Sequence, residues 1–285
     1  MYKIITTLHL FIFTFFCTCF ADRNDSARST DLYAEMPKPD GLKYAYAIPI
    51  KDQIGSPILD ILRRGMKEAI NSDADIVILD MDTPGGELGV TLEIMQEILD
   101  SVESWKGTIL TYVNKEAISA GAYIAIATQE IAFAPFSQIG AAEAVSGGGG
   151  EIDPSMKRKI NSYLKAKIRN FAGSYKYRAQ VMAAMMDANV SLIIEGQPLK
   201  AIDGSLIKRP GELLTLTGEE AVKEYGTPPQ PLLGIGVFES LEDLLDQRWG
   251  KSNYKLEEMK LNWAEDIGLW SVSYTHLTLP TNREV

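Results

Sequence analysis

The apolar positions of this chain switch between two periods. Short runs bounded by turn residues read as buried strands: YAYAIPI (44–50), DIVILDM (75–81), GTILTYV (107–113) and EIAFAP (130–135). Between them the spacing becomes helical. Ile58, Ile61, Leu62 and Met66 share one face of a segment that Ser56 is placed to cap and that runs to about Ile70. Leu88, Leu92, Met95 and Ile98 do the same within GELGVTLEIMQEILDSVES, and SAGAYIAIAT is a third, short helix. Strands alternating with helices predict an α/β fold around a mostly parallel sheet.

Beyond residue 135 the pattern changes. AAEAVSGGGGEIDP is a flexible loop, and its glycines 147–150 are read either as a plain linker or as a segment that orders on substrate. Helices are predicted over 155–172 and 175–187, and LIIEGQPLKAIDGSLIKRPGELLTLT carries the turn signals of a β-hairpin. Thr217 and Glu220 have the spacing of a capping box, opening a helix in GEEAVKEYG that stops at its glycine. One domain is expected over 44–248. Before it, residues 1–21 carry Lys3 and then an apolar stretch ending at Ala21, the pattern of a secretory signal or uncleaved anchor, with 22–43 as a polar linker. After it, 249–271 reads as a connector. Residues 272–285 resemble translated sequencing adaptor rather than native protein, so the natural chain is expected to continue differently past this connector.

Composition removes whole classes of chemistry. The net charge of −10 argues against a nucleic-acid binder, which would present a basic face. The two histidines are His9 and His276 and the two cysteines are Cys17 and Cys19, so the expected domain contains neither residue type. Ser-His-Asp and Cys-His catalysis, zinc sites and structural disulfides are thereby excluded from it. Asp80 and Asp82 flank a strand end but lack a third ligand, no EF-hand spacing occurs, and no metal or cofactor is expected.

Two strand ends carry chemical signals. In DMDTPGGEL, Pro84 ends the strand while Gly85 and Gly86 let the backbone turn and aim an amide outward at the head of a helix, an arrangement suited to an oxyanion. An ordinary strand-to-helix turn explains the same residues. In AISAGAYIAIA, Ser119 heads the next helix with the Ala120 amide beside it; it is either an N-cap or a nucleophile. Met182, Met185 and Met186, Tyr123 and Trp105 read as core positions.

Taken in order, DMDTPGG, ISAGAYIAIA, IAFAPFSQIGA and LLTLTGEEAVKEYG resemble the Clp-protease class of serine proteases, and within it the membrane-bound NfeD and signal-peptide-peptidase branch, over about residues 44–226. The resemblance implies a ClpP/crotonase-like fold of stacked ββα units, with Ser119 as nucleophile and Gly86 and Ala120 forming the oxyanion hole. It implies an extracytoplasmic, membrane-associated endopeptidase acting on apolar peptide segments, a dimer or larger homo-oligomer, and a stomatin-like membrane partner. It further implies membrane spans and a small OB-type barrel beyond the connector. In that branch the general base is a lysine on a helix after the flexible loop, which agrees with the lack of histidine. INSYLKAKIRNFA (160–172) resembles that helix, with Arg169 where archaeal members place the lysine. Arginine keeps its proton, so Lys165, one turn earlier on the same face, becomes the expected base, its pKa lowered by Arg169. A solvated basic face made of Lys157, Arg158, Lys159, Lys165 and Lys167 is the plain alternative. Two other functions fit parts of the pattern. One is a catalytically inactive scaffold that binds peptides or a membrane partner. The other is a crotonase-type enzyme acting on coenzyme A thioesters, against which the export signal argues.

Overall fold

The computed structural model describes residues 41–145, 153–172, 175–201 and 204–275. The expected export signal, most of the linker after it, the glycine run 147–150 and residues 276–285 lie outside these, as do both histidines and both cysteines.

The first half alternates as its periodicity predicts: β1 (Lys43–Lys51), α1 (Ser56–Asn71), β2 (Ile76–Thr83), α2 (Leu88–Ser104), β3 (Thr108–Ile118), α3 (Ala120–Ala127) and β4 (Glu130–Phe133). Then come β5 (Gln138–Gly140), α4 (Pro154–Phe171), α5 (Arg178–Met186), the hairpin β6 (Ile193–Ile194) with β7 (Gln197–Pro198), β8 (Thr215–Thr217), α6 (Gly218–Ala221), the hairpin β9 (Glu224–Tyr225) with β10 (Gln230–Pro231), α7 (Leu241–Trp249), β11 (Tyr254–Glu258) and α8 (Trp263–Thr275). The main sheet runs β11-β1-β2-β3-β5-β8, with β4 also on β3. All its pairs are parallel except β5 with β8.

The centre of the sheet is made of near-continuous apolar runs because both faces are covered; Ile48, Ile50, Ile76, Ile78, Leu79 and Met81 have no exposed surface. Every residue of α3 is buried, and none of them carries a charged side chain. β3 is longer than its apolar run. Asn114, Lys115 and Glu116 suggest a strand end after Val113, yet the pleat continues, with Lys115 and Glu116 toward solvent and Ala117 buried. The first half of β3 pairs with β4, Val113 opposite Phe133, and the second with β5, Ala117 opposite Ile139. This extension carries Ser119 to its position.

Other expectations shift in detail. Gly55, in extended backbone, is the N-cap of α1, and Ser56 is its first residue, followed by Pro57. In α2 the buried face is Val90, Thr91, Ile94, Met95 and Ile98, while Leu88 and Leu92 are half-buried. The Thr217–Glu220 capping box forms, with Glu220 N–H donating to Thr217 Oγ1 (3.2 Å) and Thr217 N–H to Glu220 Oε2 (3.0 Å). The helix it opens lasts four residues, because the chain turns directly into β9. β11 has no counterpart in the expectations: Tyr254–Glu258 is mostly polar and sits at the sheet edge, where one flank is solvated.

Candidate active site

β3 hands Ser119 to α3 through a strained turn. Ser119 has φ 53° and ψ −112°, a combination that favours glycine and costs an L-residue about 1–3 kcal/mol. The strain is held by hydrogen bonds on both sides. Ser119 N–H donates to Gly140 O (2.9 Å), and Ala122 N–H donates to Ser119 O (3.1 Å). Ser119 occupies the N-cap position of α3, yet its side chain makes no capping bond. The hydroxyl instead lines a cleft of about 710 Å³ shared with Gly86 and Ala120.

The opposite wall is the turn after β2. Thr83, fully buried, donates from Oγ1 to Asp52 O (2.5 Å) and accepts from Gly85 N–H (3.1 Å). Gly85 has φ +121°, and a Cβ there would stand 2.7 Å from Ser119 Cβ. Gly86 bridges to Ile54 so closely that a Cβ would fall 2.1 Å from Ile54 O. That bridge uses the N–H of Ile54 to Gly85 O (2.8 Å) and of Glu87 to Ile54 O (2.9 Å), and leaves out the Gly86 N–H. Among the described residues neither the Gly86 nor the Ala120 N–H donates to a backbone carbonyl. A serine hydroxyl thus shares one cleft with two unspent amides, one of them at a helix N-terminus.

The lysines are arranged differently. α4 turns Leu164, Ile168 and Phe171 into the core. Lys165 flanks that face and donates to Asp187 Oδ2 at 2.9 Å, just past the end of α5. Its ammonium holds the Asp187 carboxyl below the usual carboxylate range. Lys165 and Arg169 line a separate cavity with Ile168 and Met186, so the structure does not bring them to Ser119. Lys157 does not line the cleft itself but pairs with a residue that does, its Nζ 2.9 Å from Glu143 Oε2. Arg158 and Lys159 are exposed, and Lys167 lies 5.8 Å over the Tyr163 ring.

Met182, Met185 and Met186 are fully buried and Trp105 is half-buried. Tyr123 is buried and does more than fill space: its hydroxyl donates to Ala142 O (3.0 Å) beneath the cleft, and burial pushes its phenol pKa up. Asp80 pairs with Lys51 (2.9 Å) and Asp82 with Lys115 (3.2 Å), and among the described residues no cluster of three metal-ligating side chains occurs. Four residues that shape the cleft escaped the sequence reading: Ile54, Thr83, Gly140 and Glu143. Thr83 was open to view in DTPGG, as a short hydroxyl beside a glycine turn. The other three depend on contacts distant in sequence.

A family model for the N-terminal domain of NfeD1b matches residues 44–248. The chain belongs to this NfeD family. It is 28% identical over 225 residues to "Membrane protein NfeD1b" of Bacillus subtilis, covering 79% of this chain and 45% of that protein. To "Membrane-bound protease PH1510" of Pyrococcus horikoshii it is 32% identical over 156 residues, covering 53% of this chain and 34% of that one. The chain thus spans less than half the length of either relative. Among solved structures it superposes on the 1510-N membrane-bound stomatin-specific protease. The form of that protease with a lysine exchanged for alanine and a substrate peptide bound gives a TM-score of 0.60 at 23% identity, covering 82% of this chain and 99% of that one. A form with a serine exchanged for alanine gives 0.57 at 24% identity, covering 79% and 100%. The fold is accordingly the ClpP-like α/β fold of that protease domain.

Proposed function

We propose that this NfeD domain is an extracytoplasmic, membrane-associated serine endopeptidase that cleaves apolar peptide segments, with Ser119 as nucleophile and a lysine of α4 as base. The observation that carries the reading is Ser119 itself. A positive-φ serine whose hydroxyl leaves its own helix uncapped, beside two unspent amides, is poorly explained as packing. Ser119 Oγ attacks the scissile carbonyl. The oxyanion that forms takes hydrogen bonds from the Gly86 and Ala120 N–H groups, and the base carries the serine proton to the leaving amine. Apolar walls, with Leu88, Tyr123 and Ala142, suit an extended apolar peptide. The relative whose name specifies a stomatin favours a stomatin-like membrane protein as substrate or partner.

Lys165 can act as base only after leaving Asp187, because its Nζ is engaged by that carboxylate, in a cavity apart from Ser119. The relatives favour a different lysine. The serine and the lysine exchanged in the two mutant structures stand as far apart along that chain, to within one residue, as Ser119 and Lys159 do here. Lys159 is exposed and lies off the buried face of α4, so its delivery to Ser119 requires that helix to turn or a second copy of the chain to present it. A non-catalytic peptide-binding scaffold is the second reading, favoured by one fact: among the described residues no lysine lines the cleft.

The test is turnover of unstructured apolar peptides by the full chain over a range of pH. Cleavage by wild type that rises toward alkaline pH and is lost in Ser119→Ala supports the peptidase. Equal peptide binding by both with cleavage by neither supports the scaffold.

A further inference from the structure

Arg178 is the largest fully buried side chain among the described residues, with 1% of its surface exposed. It makes no ion pair among them. Its guanidinium instead caps the end of α3. Nη1 donates to Ile126 O (3.2 Å) and Thr128 O (2.6 Å), Nη2 donates to Gln129 O (3.4 Å), and the Tyr175 ring stacks 3.8 Å from Cζ. Nε has no partner. Arg178 is also the first residue of α5, where a cation opposes that helix's own dipole. Its burial lowers its pKa to about 10, which still leaves it charged at neutral pH. Glu130, the carboxylate whose charge acts on Arg178, is held bidentately by Arg248 (2.6 and 3.2 Å). The three side chains together leave one positive charge, and it sits at the negative end of α3.

The opposite end of α3 carries Ser119 and the Ala120 amide. α3 has eight residues, so the two ends are about 12 Å apart across a core that contains no water-exposed residue of that helix. Over such a distance in low dielectric a fixed charge is still felt.

We propose that Arg178 is a positioning residue for the oxyanion site: from the far end of α3 it fixes the helix and adds positive potential where negative charge develops beside Ser119. The proposal rests on the peptidase reading of that site. Arg178 touches no reacting atom. It acts along the helix axis, by saturating carbonyls that would otherwise be orphaned in the core and by placing an uncompensated cation behind the dipole.

The experiment compares two probes on the full chain: an apolar peptide boronic acid, which becomes a tetrahedral anion on binding a serine, and the same peptide as a neutral amide. The ratio of their affinities reads the anion alone, whereas a packing defect weakens both. Arg178→Gln removes the charge, and its shorter side chain ends about where Nε stands and gives up the carbonyl contacts too; the packing loss weakens both probes alike, so the ratio should still fall about three- to sixfold, and Arg178→Lys, which keeps the charge, should restore it. Glu130→Gln removes the opposing charge without touching a carbonyl contact, so it should raise the ratio, which keeps the proposal testable if the Arg178 variants do not fold. An unchanged ratio in Arg178→Gln, or in Glu130→Gln where the former is unfolded, overturns the proposal. If wild type shows no preference for the boronate, or Ser119→Ala keeps that preference, the peptidase reading itself fails.

Discussion

The two halves of the proposed machinery are built from different materials. Around Ser119 the geometry is made by backbone. A serine with φ 53° is tied to Gly140 O, a glycine has no room for a Cβ beside Ile54 O, and a buried threonine pins the turn between them. Around α4 it is made by long side chains in exchangeable pairs, Lys165 with Asp187 and Lys157 with Glu143, both partly exposed. Backbone fixed by tertiary contacts holds donors where charge develops without reorganisation. Surface ion pairs contribute little and let go readily. One side of this site is preorganised by backbone, and the other is held by side-chain ion pairs.

The comparison is broken most severely at Gly86. Gly86→Ala puts a methyl 2.1 Å from Ile54 O, and backbone cannot yield there as a flexible side chain would. It should cost about 3 kcal/mol or more in denaturant unfolding and abolish peptide turnover together. Next is Ser119→Gly. Turnover should fall about 1,000-fold or more, yet the strained position is relieved, so stability should rise by about 1 kcal/mol, visible as a higher melting temperature. A fall in both would mean that Ser119 is held for structure. Thr83→Val leaves the Gly85 N–H unsatisfied and should cost about 1–3 kcal/mol with a matching loss of turnover.

These positions also show why the two halves differ in legibility. Gly85, Gly86 and Ser119 could be picked from the sequence because few residue types tolerate a sharp turn or suit the head of a helix. The strand–helix alternation was equally open, since buried parallel strands leave unbroken apolar runs. The polar second half of β3 and all of β11 were hidden, because partly solvated strands lose that run. The surroundings of Lys165 were hidden for another reason. Helical spacing tells which residues share a face, and it correctly relates Lys165 to Arg169, which line one cavity. It says nothing of where a face points, and this one points toward α5 and Asp187.

On the side held by ion pairs the expected effects are smaller in stability and sharper in selectivity. Lys165→Ala should cost under about 1 kcal/mol and leave turnover near wild type, while Lys159→Ala should abolish turnover without changing the melting temperature. The reverse result would return the role to Lys165. Smallest is the acid response of the Lys165–Asp187 pair. The Asp187 carboxyl lies below its unfolded value in the folded chain, so the pair's contribution is full above that value and is lost as pH falls through the folded one. Asp187→Asn should therefore narrow the stability difference from wild type below about pH 4 and leave it at neutral pH.

The most direct measurement is labelling of the full chain with a serine-reactive fluorophosphonate, with the adduct located by mass spectrometry. The account predicts a single adduct on Ser119, formed faster as pH rises and lost in Ser119→Ala. No adduct at any pH, or one that persists in Ser119→Ala, would contradict it.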